Sequence, residues 1–520
     1  MTGYPEQRLA QAIMGQDKAS VLMTDGYKFS MAQAGFPLRE ETFVLCFRRG
    51  QPLYNPFDLA DVVQAFIPGP PSAKESAFLT ANGYGMTPAM GDALTMPIRV
   101  VAASKGTWIA PGTPALTVTG PSFLVSWLEP FLIMLNYPLQ IATAARKGER
   151  DFQVVCSDEE KILRIVEEVY NPPGMAEVYP DGIRTAFDFD QTKTTLNADG
   201  EEQYVAYDHE AAKFNVVESS FDYIVEVENN VQAVVIALKR DAQRAFEVGL
   251  RAATCMQQHL MVLEMCHPHG VMKTSNVYGA WRYYMIPVGT TGHEHQMRWG
   301  GPRADDKHGY RAIRDMRPEP PSYLFDTTDP MNRGIPAALE VMLEDPTRPC
   351  SMRFDSGDQD AQFRKIHAGI KKFNLEPNLI FEDGYTADKT VKNEAFCDAE
   401  GWPIQKRMYG YGGFLVSKPH PSPYNRDVVS AAYKLSCTAG QAVMKRSGSP
   451  GKESIPGKPI VLQVKSEEKM ETVVYVIAQE GEDLGEWGPP EPLSFIPDKI
   501  TVLKSEKTCD LIHNSLNGIG

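Results

Sequence analysis

Two histidines flank a glutamate in YMIPVGTTGHEHQMRWGG, residues 284–301, where an apolar run ends in Gly-Thr-Thr-Gly and His293, Glu294 and His295 follow. Three readings suit that arrangement. On a strand, a His-x-His pair turns both rings to one face, as a metal-ligand pair in a barrel hydrolase requires. A structural role has His293 cap the loop. As a nucleophile or phosphoryl acceptor, His293 presents a neutral imidazole nitrogen, and Glu294 or another carboxylate holds its tautomer.

Further along, RFDSGD places Asp355 and Asp358 around Ser-Gly, beside Arg353. Carboxylates so spaced can hold Mg²⁺ or ribose hydroxyls, and the arginine suits a phosphate; a solvated acidic turn has the same composition. YGYGGF, with Gly412 and Gly413, offers backbone N–H groups unobstructed by Cβ atoms, suited to cradling a phosphate. FEDGYTAD adds Asp383 and Gly384, and KTSNV adds Ser275 and an amide.

The elements that must position these groups are legible from pattern. RAFEVGLRA, GVMKTSNV, YMIPVGTTGHE, YLFDTTDP, SMRFDSGD, NLIFEDG and RMYGYGG are short apolar or aromatic runs, each ending in small, acidic or hydroxyl residues. Helical stretches such as GIPAALEVMLED and AQFRKIHAGIKKFN lie between them. Strand, loop and helix in repetition predict an α/β fold with a (β/α) barrel-like domain, whose strand-end loops meet at one mouth. An open doubly wound sheet is the alternative. The sequence divides into an N-terminal α/β domain over 1–148, with ETFVLCFRR and GTWIAPGTPALTVTGP as β-rich runs and a buried helix at 123–145. An acidic insertion or lobe follows over 149–235, opening on the capped helix SDEEKILRIVEEVYN. The barrel-like catalytic domain takes 236–425, and a C-terminal β-rich cap, packed on the first domain, takes 426–520.

At 520 residues, 43% hydrophobic and 23% charged, the chain reads as an ordinary globular protein. The apolar stretch at 123–145 is broken by Glu129, Pro130 and Pro138, so no membrane span is expected. The N-terminus lacks the order of a signal peptide, and eight scattered cysteines without paired spacing suit reduced thiols, so a cytoplasmic location is expected. The net charge of −14 argues against nonspecific nucleic-acid binding. Nearly all of it falls between Ser157 and Glu228, where 18 acidic residues face 5 basic ones, which leaves the rest free to hold a local anion pocket.

The ordered succession LMTDGYKFSMAQAGF, FRRG, EVGLRAA, TSNV, PVGTTGHE, FDTTDP, RFDSGD, FEDG, YGYGG and MKRSGSPGKESIPGK resembles nicotinate phosphoribosyltransferase, a type II phosphoribosyltransferase. The related nicotinamide enzyme has a similar skeleton, with a Trp-Gly like Trp299–Gly300, and stays as an alternative. The resemblance implies a barrel-like domain with a smaller N-terminal α/β domain, joined by C-terminal β-rich segments. It also implies a homodimer with shared active sites, and transfer of phosphoribose from phosphoribosyl pyrophosphate to nicotinate with Mg²⁺, coupled to ATP through a phosphohistidine. On it, His293 is the phosphorylated residue, and Tyr27 the aromatic laid against the pyridine ring from the neighbouring subunit. Arg251, Ser275 and Thr290 lie at the substrate, while Arg353, Asp355 and Asp358 meet the phosphoribosyl donor, the two aspartates holding Mg²⁺. Asp383, Gly384, Gly412 and Gly413 cradle the 5′-phosphate. This chain has Ala252 where the family often has a second Arg, and Gly292 where Ala commonly precedes the histidine. A binding protein for pyridine or phosphoribosyl groups that lacks turnover is the alternative of another class.

Overall fold

The computed structural model describes residues 5–148, 162–163, 193–196, 202–205, 216–289, 291–300, 305–419, 424–445, 454–464, 472–485, 487–493, 496–497 and 499–517. Most of the acidic stretch, including all but Ile162 and Leu163 of its expected capped helix, lies outside the described residues, as does Thr290.

All seven runs singled out in the third region become strands of one parallel sheet. They are Ala245–Glu247, Lys273–Thr274, Ile286–Pro287, Ser322–Leu324, Ser351–Phe354, Asn378–Phe381 and Arg407–Tyr411. Numbered one to seven in that order, they lie across the sheet as 3-2-1-7-6-5-4. Each step along the chain within 1-2-3 and within 4-5-6-7 moves in the same direction. A doubly wound sheet reverses direction at a switch point, so that alternative is set aside. The sheet curls as a half-barrel, open between strands three and four.

An aromatic ladder runs along the strand ends: Phe325 meets Phe354 edge-on at 5.2 Å, Phe354 stacks on Phe381 at 4.7 Å, and Phe381 on Tyr409 at 5.4 Å. In extended backbone the next residue points to the opposite face. The ladder therefore fixes where Asp326, Asp355 and Glu382 emerge. The expected helices form over Ile335–Glu344 and Gln359–Phe373.

The N-terminal runs form a second, antiparallel sheet in which Glu40–Phe47 pairs with Pro114–Pro121 on one side and with Ala431–Thr438 on the other. The late strand thus completes the early sheet, and its Lys434 pairs in register with Val44. The stretch at 123–145 is three successive helices, Ser122–Trp127, Glu129–Met134 and Asn136–Lys147, rather than one, and nearly every residue in them is buried. PIVLQVKS and ETVVYVIAQ pair antiparallel in a third sheet of four strands.

The helix Gly26–Gln33 reaches from the N-terminal part onto the half-barrel. Gly26 N–H donates to Ser275 O at 2.8 Å, and Val277 N–H to Thr24 O at 3.1 Å. A Cβ on Gly289 would lie 2.2 Å from Tyr27 N, so only glycine permits this approach.

Candidate active site

The strand ends, the helix Gly26–Gln33 and the strand Ala431–Thr438 enclose one cavity of about 630 Å³. Eight cationic side chains line it, Arg48, Arg49, Arg251, Arg353, Lys418, Arg426, Lys434 and Lys445, against six acidic ones. The lining thus carries a formal excess of two positive charges, which suits an anionic ligand.

At one end stands His293, on the short helix His293–Arg298 rather than on a strand. Two residues of helix turn a side chain by about 200°, so His293 and His295 do not share a face, and the His-x-His metal pair is not formed. His295 instead lies within 2.8 Å of Gly309 O through Nε2, and burial pushes it down to about 4. His293 Nε2 is 3.0 Å from Asp326 Oδ1 and 3.7 Å from Asp355 Oδ2. Asp326 also accepts from the Ser356 hydroxyl and lies 3.7 Å from Lys445 Nζ. Burial alone would raise Asp326, but His293, Lys445 and Ser356 together hold it well below its usual range. Burial, helped by Lys445, lowers His293 and keeps its imidazole neutral. A neutral ring facing two carboxylates through Nε2 carries its proton there, which puts the lone pair on Nδ1.

Arg353 donates to Thr291 O at 2.8 Å and to Asp355 at 3.2 Å, and lies 3.1 Å from Glu382. It is buried, and the Glu382 and Asp355 charges outweigh that burial and hold it cationic.

At the other end, four groups converge on Glu129. The Tyr27 hydroxyl donates to it at 2.7 Å, and Lys28 lies at 2.6 Å, Arg251 at 3.5 Å and Lys434 at 3.9 Å. Burial opposes its charge, yet Lys28, Arg251 and Lys434 hold Glu129 well below its usual range. The Arg251 guanidinium stands 5.5 Å from the Tyr27 ring centre. Burial, with Arg251, Lys445 and Arg48 nearby, pushes Lys434 down to about 7, although 24% of its side chain reaches solvent. Tyr27, which the resemblance assigns to a neighbouring subunit's site, lines the cavity of its own chain. A Cβ on Gly292 would sit 3.3 Å from the Tyr27 ring, so the glycine lets ring and histidine loop pack closely.

Asp383, Gly384, Gly412 and Gly413 also line the cavity. Asp383 has φ 77°, a strained value for a residue with a Cβ, and a Cβ on Gly384 would meet nothing within 4 Å. Two expected residues lie elsewhere. Ser275 is buried next to Asp25 and outside the lining. Asp358 caps the helix Gln359–Phe373, accepting Ala361 N–H at 3.0 Å. Among the described residues, Asp355 is grouped with Asp326 and His293, their ligand atoms within 4.8 Å of one another, and Asp358 stands apart at the helix start. The physical reason is the helix start, whose free N–H groups claim the second aspartate.

Asp326, Glu382, Glu129, Lys434 and Lys445 escaped the reading of the sequence. For the first two a signal existed: YLFD, MRFD and LIFE share one pattern, an aromatic ending a strand and then a carboxylate. Glu294, offered as the partner of His293, also lines the cavity but pairs with Lys28 at 3.3 Å and accepts from the Ser126 hydroxyl.

No family model matches the chain. The nicotinate phosphoribosyltransferase of Xanthomonas campestris pv. campestris (strain B100) is 28% identical over 190 residues, 34% of this chain and 44% of that protein. The match spans less than half of the relative's length. Among solved structures, the nicotinate phosphoribosyltransferase of Vibrio cholerae superposes with a TM-score of 0.55 at 16% identity, covering 85% of this chain and 92% of that one. That of Porphyromonas gingivalis gives 0.53 at 16% identity, covering 84% and 95%. In sequence over a third of its length, and in fold over more than four fifths, the chain is similar to the nicotinate phosphoribosyltransferases.

Proposed function

We propose that this chain is a nicotinate phosphoribosyltransferase, which joins nicotinate to phosphoribosyl pyrophosphate, releases pyrophosphate and couples the transfer to ATP hydrolysis. The observation that carries the reading is the pairing, in one cation-lined cavity, of an aromatic ring beside Arg251 with a neutral histidine held by Asp326. Tyr27 stacks on the pyridine, a contact worth about 1 kcal/mol, and Arg251 takes its carboxylate. Arg353, Lys445 and Lys434 bind the phosphates, and the backbone at Gly384, Gly412 and Gly413 leaves room for the 5′-phosphate. Transfer at the anomeric carbon develops positive charge on the sugar as negative charge grows on the departing pyrophosphate, and these cations oppose the second. In the ATP half-reaction the Nδ1 lone pair of His293 attacks the γ-phosphorus; the N–P bond forms, the bond to the bridging oxygen breaks, and ADP leaves. Asp326 keeps the Nε2 proton and orients the ring.

The oxygen donors of Asp326 and Asp355 fit Mg²⁺, a hard cation, better than Asp355 with the helix-capping Asp358 does. When bound, Mg²⁺ neutralises pyrophosphate oxygens. The chain is further proposed to work as a homodimer in the cytoplasm; among the described residues, no helix is long and apolar enough to cross a membrane.

Purified protein with phosphoribosyl pyrophosphate and Mg²⁺ is given nicotinate or nicotinamide, each with and without ATP. Mononucleotide from nicotinate with matching ADP release is expected. Product only from nicotinamide reassigns the base, and product from neither leaves a binding protein.

A further inference from the structure

Lys28 has no role in the chemistry above, yet its side chain is fully buried between the two halves of the site. Its ammonium lies 2.6 Å from Glu129, which holds the Tyr27 hydroxyl and faces Arg251, and 3.3 Å from Glu294, the neighbour of His293. Glu294 in turn lies 3.6 Å from Arg298, one helical turn on, and Arg298 donates to Glu41 at 2.9 Å. Alternating charges therefore run without interruption as Arg251, Glu129, Lys28, Glu294, Arg298 and Glu41. Buried ion pairs return little net stability compared with well-packed apolar residues, so stability alone does not account for a chain of six.

We propose that Lys28 and Glu294 are positioning residues that couple the base subsite at Tyr27–Arg251 to the phosphate subsite at His293. This rests on the functional reading given above. One ammonium serves two carboxylates, and it stands closer to Glu129. An anion arriving at Arg251 draws the guanidinium from Glu129, a contact that is already long at 3.5 Å. Glu129 then takes a larger share of Lys28, and Glu294, which lines the cavity beside His293, loses part of its countercharge. A second anion at the phosphate end meets that uncovered carboxylate and binds less well. By linkage, the effect is reciprocal.

Nicotinate and inorganic pyrophosphate do not react with each other, so calorimetry can titrate nicotinate into the full chain with Mg²⁺, with and without saturating pyrophosphate. Wild-type protein is expected to bind nicotinate about tenfold more weakly when pyrophosphate is present, within the usual range of coupling. Direct repulsion between the two anions gives the same sign, and the variants separate the causes. In Glu294→Gln no carboxylate can be uncovered, and the ratio falls to within about twofold of one; in Glu294→Asp the charge remains and most of the effect returns. Lys28→Met strands two buried carboxylates and threatens folding, whereas Glu294→Gln leaves Lys28 with Glu129 and Arg298 with Glu41. An unchanged ratio in Glu294→Gln, equal loss in both variants, or a wild-type ratio of one with both ligands bound would overturn the coupling alone. Wild-type protein that binds neither ligand would overturn the functional reading and the coupling with it.

Discussion

Among the described residues, two buried histidine–carboxylate pairs have nearly the same length, and they differ in what is left over. His259 Nε2 meets Glu247 at 2.9 Å, and its Nδ1 lies 2.9 Å from the Asn276 amide, so both ring nitrogens are occupied. Glu247 also accepts from Gly249 N–H at 2.6 Å and the Thr274 hydroxyl at 2.7 Å, and neither side chain of the pair reaches solvent. His293 meets Asp326 at 3.0 Å but lines a cavity with a second carboxylate and Lys445 close by, and among the described residues its ion-pair partners all face Nε2, which puts the lone pair on Nδ1. A satisfied pair holds strands together. A pair with one valence to spare can act on a ligand.

The two pairs should part most widely in His293→Ala. It removes the proposed phosphoryl acceptor, so ADP release and acid-labile phosphate on the protein are expected to fall to background, at least about a hundredfold. Stability should drop by only about 1 kcal/mol, since Ser356 and Lys445 still meet Asp326. Glu247→Ala should do the reverse. Three buried donors lose their acceptor at once, a cost of about 3 to 5 kcal/mol in urea unfolding. Activity in the fraction that stays folded should keep its ATP dependence. If His293→Ala unfolds the protein as readily as Glu247→Ala does, the distinction between the two pairs fails.

Much of this was written locally in the sequence. Each strand of the parallel sheet follows from an apolar or aromatic run ending in polar residues, and backbone pairing needs little more than that pattern. The singly wound order, the open seam and the docking of helix Gly26–Gln33 depend on contacts between distant segments, which periodicity does not encode. Asp355 and Asp358 illustrate the divide: both follow one strand end, but only the level of the aromatic ladder tells which carboxylate faces the cavity. Glu129 and Lys434 were illegible for another reason. They sit in apolar text, Glu129 inside a buried helix and Lys434 on a strand of the other sheet, and nothing nearby in sequence marks a buried charge.

A milder contrast comes from Lys434, which titrates where His293 does not. With its ammonium pushed down to about 7, Lys434 is charged below that pH and loses its proton as pH rises through it. Pyrophosphate affinity should therefore weaken by up to about tenfold between roughly pH 7 and 8.5. The unfolded chain keeps this proton up to the ordinary value of 10.5, so between about 7 and 10.5 it binds more protons than the folded state, and folding stability rises over the window in which affinity falls. Lys434→Met should flatten the affinity profile on the alkaline side. A fall that survives in Lys434→Met would assign the titration to another group.

The smallest effect expected is at Asp358, and it separates the two aspartates of RFDSGD. Asp358 accepts Ala361 N–H from the first turn of Gln359–Phe373, where its negative charge also meets the positive end of the helix dipole. Asp358→Ala leaves that N–H to water and should lower stability by about 1 kcal/mol. Its carboxylate lies outside the cavity, whereas Asp355 is in the cluster with His293. The Mg²⁺ concentration giving half-maximal activity should consequently match that of wild type in Asp358→Ala. A severalfold rise would return Asp358 to the metal and show that the loop rearranges when ligand binds.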